Sequence, residues 1–212
     1  MSSDQPAPKR RDPVATRAAI LRAAQRAFSA HGYDGAGVRE IAREADVDAR
    51  LIGKYFGSKE GLFAEVVDLA YEKSMMMTPE LNAEAARTLL TGEDQRAHDG
   101  LLLTLRSVAN PRAAAIMRES IERNYQTRLA DALPGEDGAD RTGRSALLIA
   151  ICAGMLLNRM LLGTTAFTGP DAERLIPYLH AALDAVADAP NKELVDRRPG
   201  GRDGTAGPAG TA

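Results

Sequence analysis

The chain has 212 residues, of which 44% are hydrophobic and 26% charged, and its formal net charge is −2. This composition is typical of an ordered globular protein of one or two domains and excludes an extensively disordered chain. The single cysteine, Cys152, excludes an intramolecular disulfide. The polar stretch after Met1 has no apolar core, so we expect no secretory signal. The longest uncharged run, of 14 residues, is shorter than the ~20 that a membrane helix needs. We therefore predict a soluble cytoplasmic protein with no membrane partner.

Charge is divided unequally along the chain. Residues 1–60 hold 11 lysines and arginines against 8 acidic residues, whereas residues 61–212 hold 16 against 21. A basic first part is typical of a segment that meets an anion, and the alternative is an ordinary solvated surface. The difference indicates a nucleic-acid partner only if the same segment also has a nucleic-acid-binding shape.

Several helix starts can be predicted from the sequence, because a proline follows a residue that can cap a helix. Proline is tolerated at the first position of a helix, where its missing N–H has no partner to lose. The predicted starts are Asp12-Pro13, Ser58, Thr78-Pro79, Asn110-Pro111 and the near variant Thr168-Gly169-Pro170. Helix ends in the left-handed conformation are predicted at Gly32, Gly92 and Gly163.

These signals, with the helical spacing of apolar residues, predict an all-α fold of about nine helices. Alternating β-branched residues around Asn-Gly turns, which would indicate strands, do not occur in the sequence. The predicted helices cover residues 14–30, 38–45, 49–55, 59–76, 80–91, 95–108, 111–132, 143–163 and 171–187.

The segment from Val38 to Tyr55 has the spacing of a helix-turn-helix. Its first short helix places the small residue Ala42 where a second helix must cross closely. In the turn, Asp46 tolerates a left-handed conformation and Asp48 is placed to cap the second helix. The residues predicted to face inward are Val38, Ile41, Ala42, Ala45, Val47, Leu51, Ile52 and Tyr55. Those predicted to face a DNA major groove are Ala49, Arg50, Gly53 and Lys54.

Beyond the isolated motif, residues Thr16–Val67 resemble the DNA-binding domain of the TetR (tetracycline-repressor-type) family. About 50 residues match in order and spacing, and the helical remainder resembles that family's ligand-binding and dimerisation domain in architecture only. The matching residues are Ile20, Leu21, Ala23, Ala24, Phe28, Gly32-Tyr33, Val38, Ile41, Ala42, Ala45, Val47 and the run Tyr55-Phe56-Gly57-Ser58-Lys59-Glu60-Gly61-Leu62.

Composition and resemblance together divide the chain into four regions. We expect a flexible arm over residues 1–11, which ends in the basic cluster Lys9-Arg10-Arg11. A helix-turn-helix DNA-binding domain is predicted over residues 12–57, and a ligand-binding and dimerisation domain over 58–189. Residues 190–212 are predicted to form a disordered tail, because they are rich in glycine and proline and nearly lack large apolar residues.

The resemblance implies a homodimeric transcriptional repressor that binds a palindromic DNA operator and is released by a small hydrophobic effector. We expect no cofactor and no metal. Arginine suits guanine edges, whereas lysine and tyrosine suit phosphates, and the basic arm suits the backbone or a minor groove. The residues that the resemblance places on DNA are Arg39, Asp48, Ala49, Arg50, Lys54, Tyr55 and Lys59.

Three positions depart from the family pattern. Ala36-Gly37 stands where Thr or Ser commonly precedes the second helix, which removes a capping hydroxyl. Asp46 stands where glycine is common, and Gly53 stands where tyrosine is common, which loosens the recognition helix by ~1 kcal/mol. These departures leave the motif intact but make it unsafe to predict the operator by analogy.

The second half of the chain offers a dimer surface and an effector pocket. Residues 143–163 are apolar nearly all round, so we predict that they are buried on most sides and form an intersubunit four-helix bundle with residues 171–187. The alternative is an intrachain core. Cys152 is predicted to be a small buried hydrophobe rather than a redox sensor. The predicted pocket residues are Leu101, Leu105, Met117, Ile121, Tyr125 and Asn158, with Leu102 and Arg159 as further candidates; for each, ordinary core packing is the alternative.

Enzyme signatures do not occur in the sequence. The three histidines, His31, His98 and His180, lie far apart, and no HExxH, GxSxG or P-loop pattern occurs. We therefore predict a regulator and not an enzyme. The remaining alternative is a helical small-molecule-binding or scaffold protein without sequence-specific DNA binding. A steep salt dependence of binding to the DNA upstream of the protein's own coding sequence would separate the two hypotheses.

Overall fold

A computed structural model describes residues 12–72, 75–92 and 95–188, and all regular structure within these ranges is helical. The predicted all-α class is therefore confirmed, whereas the predicted arm over residues 1–11 and tail over residues 190–212 lie outside the described residues. The helices are α1 (Pro13–Gly35), α2 (Val38–Glu44), α3 (Arg50–Phe56), α4 (Lys59–Glu72), α5 (Asn82–Thr91), α6 (Gln95–Ser107), α7 (Pro111–Ile121), α8 (Thr127–Ala132), α9 (Gly138–Leu156), α10 (Thr165–Thr168) and α11 (Ile176–Ala187).

Two π-helical turns and one 3₁₀ segment lie between these helices. The π turn Glu122–Gln126 joins α7 to α8, so the predicted helix over residues 111–132 is continuous but changes its winding. A second π turn, Leu157–Leu161, extends α9. The predicted helix over residues 171–187 begins as a 3₁₀ segment, Ala172–Leu175, and becomes α-helical only at Ile176.

Most of the predicted helix caps are present. The Asp12 carboxylate accepts a hydrogen bond from the Val14 N–H at 3.1 Å, and the Asn110 side chain accepts from the N–H groups of Arg112 and Ala113. The Ser58 hydroxyl accepts from the Gly61 N–H at 3.1 Å. These side chains satisfy N–H groups that lack a partner within the helix, which stabilises each helix start.

Several of the predicted helix boundaries are wrong. Helix α9 begins at Gly138, capped by Asp137, and not at residue 143, and residues 75 and 76 of the helix predicted over 59–76 are not helical. Thr78-Pro79 begins a turn, closed by the Leu81 N–H donating to the Thr78 carbonyl at 2.9 Å, so α5 starts at Asn82. Gly92 ends α5 with extended backbone at φ −71°, not with the left-handed conformation. Gly32 and Gly163 do have positive φ, of 70° and 61°.

Helices α1 to α4 pack around an aromatic cluster. The ring of Phe63 in α4 meets the rings of Phe28 and Tyr33 edge-on, each at a centroid distance of 5.0 Å. Such edge-to-face pairs add to the gain from burying the rings. The same core continues into the C-terminal half through Leu103 of α6 and Met117 of α7, both of which are buried. The helix-turn-helix is therefore packed directly against the helices that follow it.

A second core joins α5, α8, α9 and α11. Its centre is formed by Leu129, Leu148 and Leu183, which are fully buried. Two arginines bind the carboxyl ends of helices in this core. Arg144 donates to the Ala187 carbonyl at 2.7 Å at the end of α11, and Arg159 donates to the Leu89 carbonyl at 2.8 Å at the end of α5. A cation at this end of a helix is favourable, because the terminal carbonyls carry partial negative charge.

Helix α9 and its π extension form one continuous helix, Gly138–Leu161, long and apolar enough by length and composition to cross a membrane. A core or interface helix of a soluble protein has the same composition, and the buried Arg144 within this one is bound to α11. Only 22% of its most apolar 18-residue window is buried in the single chain. The prediction that this helix is buried on most sides is therefore wrong for one protomer alone.

Candidate DNA-binding surface and effector cavity

The helix-turn-helix has the geometry that the sequence predicts. Ala42 of α2 is buried, and the Val47 N–H closes the turn by donating to the Ala42 carbonyl at 3.0 Å. Asp46 adopts the left-handed conformation at φ 54°. The Asp48 carboxylate accepts from the Arg50 N–H at 2.7 Å, so it caps α3 as expected. Ile52, on the inner side of α3, is buried.

The side chains predicted to contact DNA lie on or beside these two helices. Arg39 is exposed on α2, and Arg50 and Lys54 are exposed on α3, where the charged groups of a recognition helix must be accessible. Asp48 is exposed but serves as the cap of α3. Ala49, Tyr55 and Lys59 are half-buried. The arrangement offers three exposed cations, two from one short helix, to a polyanion.

Lys59 is held at the start of α4 by an aromatic ring. Its ammonium lies 4.7 Å from the centroid of the Tyr33 ring, a cation–π contact. Burial, and then the hydrogen bond to Glu60, raise the pKa of Tyr33 to about 12. The pKa of Glu60 is lowered, chiefly by its own backbone N–H and then by hydrogen bonds with Ser58 and Tyr33. The Lys59 ammonium therefore contacts the un-ionised ring of Tyr33, and the neighbouring Glu60 carboxylate already accepts several hydrogen bonds.

The departures from the family pattern have visible local effects. Gly37 precedes α2 without any side-chain hydrogen bond to the helix, so the capping hydroxyl is absent as expected. At Gly53 a Cβ would meet no atom within 4 Å, so this glycine is not required by packing. Asp46 takes the left-handed conformation that glycine would adopt more readily.

The C-terminal end of α1 is clasped by α6. The Ser107 hydroxyl accepts from the Tyr33 N–H at 3.0 Å, and the Ser29 hydroxyl donates to the Asp99 carbonyl at 3.2 Å. Arg106 also donates to the Ser29 carbonyl. At Gly32 a Cβ would lie only 2.2 Å from the Arg106 carbonyl oxygen, so the approach of the two helices requires glycine. Sequence reasoning identified Gly32 as a helix end but missed its contact with α6.

A carboxylate links α4 to the end of α7. Asp68 accepts hydrogen bonds from the Ser120 hydroxyl at 2.6 Å, the Arg123 guanidinium at 3.0 Å and the Asn124 amide at 2.8 Å. Arg123 and Asn124 belong to the π turn. The helix that follows the recognition helix is therefore attached to the segment in which α7 changes its winding. The sequence carries no local signal for this network, because Asp68 lies more than 50 residues before the three side chains that donate to it.

Two neighbouring cavities lie beside the π turn. One, of about 270 Å³, lies between α6 and α7 and is mostly apolar. The other, of about 420 Å³, lies against α8 and the start of α9 and is more polar. Glu122 and Gln126 line both. The other lining residues of the first cavity are Thr104, Val108, Ala114, Met117, Arg118 and Ile121, and those of the second are Thr127, Ala130, Asp131, Gly138, Arg141 and Thr142.

The predicted pocket residues are only partly brought together. Met117 and Ile121 line the α6–α7 cavity. Leu101 and Leu105 lie on α6, half-buried and exposed respectively, and neither lines that cavity. Tyr125 is buried in the second core, where its hydroxyl donates to the Met75 carbonyl at 2.5 Å.

The remaining candidates lie near the end of α9. Asn158, in the second π turn, donates to the Gly154 carbonyl at 2.9 Å, and Arg159 binds the end of α5. Glu122 and Gln126 were missed by sequence reasoning, because the π turn that places them has no pattern of its own. Among the described residues, no group of three or more His, Cys, Asp or Glu side chains could hold a metal ion.

Comparisons with known proteins agree with this architecture. Residues 20–66 match the family described as "Bacterial regulatory proteins, tetR family", and residues 80–197 match "Tetracyclin repressor-like, C-terminal domain". The second match alone covers more than half of the chain. The first covers the helix-turn-helix and most of α4.

Curated relatives match the N-terminal part. The chain is 47% identical over 58 residues to the HTH-type transcriptional repressor SCO4008 of Streptomyces coelicolor, which is 27% of this chain and 30% of that protein. It is 34% identical over 95 residues to the HTH-type transcriptional repressor AcnR of Corynebacterium efficiens, or 44% of this chain and 49% of that protein. The chain thus matches less than half of the length of each. These names confirm the prediction of a regulator rather than an enzyme.

Solved structures share the fold over most of the chain. The multidrug binding protein EbrR complexed with ethidium has a TM-score of 0.58 at 23% identity, covering 82% of this chain and 99% of that one. A putative TetR-family transcriptional regulator from Rhodococcus sp. has a TM-score of 0.58 at 19% identity, covering 82% of this chain and 100% of that one. With the helix-turn-helix in place and both halves matched, the chain belongs to the TetR family of bacterial transcriptional regulators.

Proposed function

We propose that the protein is a cytoplasmic, ligand-responsive transcriptional repressor that binds a palindromic operator as a homodimer and is released by a small hydrophobic effector. The observation that carries the proposal is the helix-turn-helix with Arg50 and Lys54 exposed on its second helix. In the major groove, Arg50 is suited to a guanine edge and Lys54 to a phosphate. Arg39 adds a third cation from α2.

An apolar face on α9 and α11 supports the homodimer. Leu147 of α9 is 57% exposed and Tyr178 of α11 is 75% exposed. Between such large residues α9 exposes Ala150 and Ala153, which allow close approach of another helix. Two helices from each of two chains would form a four-helix bundle and bury the apolar window of α9. A two-fold axis through this bundle would place the two DNA-binding domains on the two half-sites of a palindrome.

The α6–α7 cavity is the proposed effector site. Its lining is mainly apolar and includes Met117, Ile121 and the carboxylate residue Glu122. Its volume of about 270 Å³ lies just below the range usual for drug-sized ligands, which favours a small effector. The structural neighbour named a multidrug binding protein is described in complex with ethidium, an aromatic cation, and Glu122 would suit a cationic ligand here.

The contacts around the cavity provide a route from the effector to the DNA. Helix α6, one wall of the cavity, clasps the end of α1 through Ser107 and Arg106. The π turn at the other wall is bound to α4 through Asp68. An effector that separates α6 from α7 would therefore displace both α1 and α4, which pack against the helix-turn-helix. We expect this to lower DNA affinity, because it changes the relative position of the two DNA-binding domains in the dimer.

The test is binding of the full chain to the DNA upstream of its own coding sequence, measured by fluorescence anisotropy. Arg50→Ala is compared with Arg87→Ala, which removes an equally charged exposed side chain from α5, outside the helix-turn-helix and the proposed dimer face. We expect tight binding by the wild type and by Arg87→Ala, and a loss of about tenfold or more for Arg50→Ala. Equal affinities for the two variants would contradict the assigned recognition surface.

A further inference from the structure

Helix α7 belongs to the C-terminal half of the chain, but its first residues contact the DNA-binding domain. The side chain of its cap, Asn110, donates to the Asp34 carboxylate at 2.8 Å. Asp34 directly follows Tyr33, whose ring is in contact with the Lys59 ammonium. Ala113, in its first turn, is fully buried in the core shared with α1 to α4. The side chain between them, Arg112, points away from this core and is 81% exposed.

The guanidinium of Arg112 lies beside the start of α4. Its Nη1 is 3.8 Å from the Glu60 carboxylate, too far for a hydrogen bond. Glu60 already accepts from its own backbone N–H, from Ser58 and from Tyr33, and Arg112 is the weakest of the groups that lower its pKa. An exposed ion pair of this kind contributes little to stability. The guanidinium of Arg112 is therefore only weakly bound within the protein and remains accessible to a ligand.

Arg112 and Lys59 flank the same pair of side chains. The Lys59 ammonium lies over the ring of Tyr33, which is hydrogen-bonded to Glu60, and Arg112 lies beside the Glu60 carboxylate. Lys59 is also at the N-terminal end of α4, where backbone N–H groups favour anions. A guanidinium binds phosphate through two parallel N–H donors, which a lysine cannot do. Successive phosphates of one DNA strand are about 3.4 Å apart along the helix axis, so two cations on one part of the surface suit two neighbouring phosphates.

We propose that Arg112, from the effector-binding half of the chain, contacts the DNA phosphate next to the one contacted by Lys59. The inference rests on the proposed DNA-binding function and deepens it. The DNA-binding surface then extends beyond the helix-turn-helix onto α7.

This contact joins the effector cavity to the DNA through one helix. Met117, Arg118 and Ile121 of the same α7 line the cavity, about 8 to 14 Å from Arg112 along an 11-residue helix. A rigid helix moves as a unit, so an effector that displaces the wall of the cavity also displaces Arg112. DNA release then includes the direct withdrawal of one phosphate contact in each protomer.

The experiment compares Arg112→Ala with the control Arg87→Ala. Arg87 is exposed on α5, outside the helix-turn-helix, the α6–α7 cavity and the proposed dimer face, so its removal deletes the same charge from a surface to which no function is assigned. Affinity of the full chain for the upstream DNA is measured from about 50 to 200 mM salt, where each phosphate contact contributes about 0.9 to the slope of log K against log salt. Thermal unfolding followed by circular dichroism checks that each variant is folded.

We expect Arg112→Ala to bind about threefold to tenfold more weakly and with a salt slope shallower by about 0.9 per protomer, whereas Arg87→Ala matches the wild type. Arg112→Lys should recover most of the slope, because it restores the charge. Identical slopes for Arg112→Ala and Arg87→Ala would overturn the inference while leaving the proposed function intact. A wild type that shows no salt-dependent binding would overturn both.

Glu60→Gln separates a phosphate contact from a purely structural ion pair. If Arg112 acts on DNA, removing the neighbouring carboxylate leaves the salt slope unchanged or steeper and the affinity equal or higher. If Arg112 matters only through its pairing with Glu60, Glu60→Gln weakens binding as much as Arg112→Ala does, and the inference is wrong.

Discussion

At the residue scale, identity matters most where the backbone or the interior leaves little choice. Gly32 has φ 70° and faces the Arg106 carbonyl at a distance that excludes a Cβ, so its role in packing is set by α6. Gly53 has open space around it and no such constraint. Cys152 is half-buried and packs against the second core, and burial of its thiol raises the pKa to about 11. Two glycines that look alike in the sequence therefore have different roles.

Gly53→Ala is expected to raise the free energy of unfolding by about 1 kcal/mol, because alanine loses less conformational entropy in a helix and its Cβ meets no neighbour. Gly32→Ala is the matched control and should destabilise the protein, since its Cβ would meet the Arg106 carbonyl. Urea unfolding of the two variants measures the difference. Stabilisation by Gly32→Ala would contradict the described contact between α1 and α6.

Cys152 is expected to react slowly with iodoacetamide at pH 8 in the folded protein and rapidly in urea, because only the thiolate reacts. Its folded pKa of about 11 lies above the ordinary value of 9, so the unfolded chain ionises first as pH rises. Any stability that this thiol contributes is therefore complete below pH 9 and is lost between pH 9 and 11. Equal labelling rates in folded and unfolded protein would contradict burial of the thiol.

At the element scale, the sequence predicted the helices better than their junctions. Local chemistry marks the caps at Asp12, Ser58 and Asn110 and the left-handed turn at Asp46, and all four are present. The π turns and the contact of α6 with α1 depend on partners far along the chain, so no local pattern predicts them. The pocket was predicted in part for the same reason: Met117 and Ile121 reach the cavity, whereas Leu101 and Leu105 do not line it.

Ser107→Ala tests the junction between α1 and α6. The Tyr33 N–H is buried and donates to the Ser107 hydroxyl, so its loss leaves a buried donor without that acceptor. We expect the free energy of unfolding to fall by about 1–3 kcal/mol. Thr91→Ala is the control, because the exposed Thr91 hydroxyl donates only to the carbonyl of Arg87, in its own helix. Chemical denaturation that gives equal small effects for both would contradict the importance of this hydrogen bond.

At the scale of the whole molecule, the first of the two cores joins both halves of the chain. Leu103 and Met117 of the C-terminal half pack with the residues of α1 to α4, and α9 and α11 expose the large apolar residues Leu147 and Tyr178. The net charge of −2 conceals this division, because the basic residues of the DNA-binding domain are offset by the acidic second half. We therefore propose that DNA binds one face of the molecule and that a second protomer binds another.

Leu147→Glu tests the proposed dimer. A carboxylate at this exposed position costs the single chain little but opposes its own copy across a two-fold interface. Sedimentation velocity at micromolar concentration should show a dimer for the wild type and a monomer for the variant. Leu105→Glu, an exposed leucine on α6 away from this face, is the control and should remain dimeric. A monomeric wild type would contradict the proposed bundle.

The most direct test of the central claim is the affinity of the wild type for DNA from upstream of its coding sequence, compared with a scrambled duplex of the same composition over a range of salt concentrations. The account predicts at least 10³-fold tighter binding to the upstream DNA, two protein chains per site and a logarithmic affinity that falls steeply with the logarithm of salt. Equal and weak binding to both duplexes, with no dependence on salt, would contradict a DNA-binding regulator.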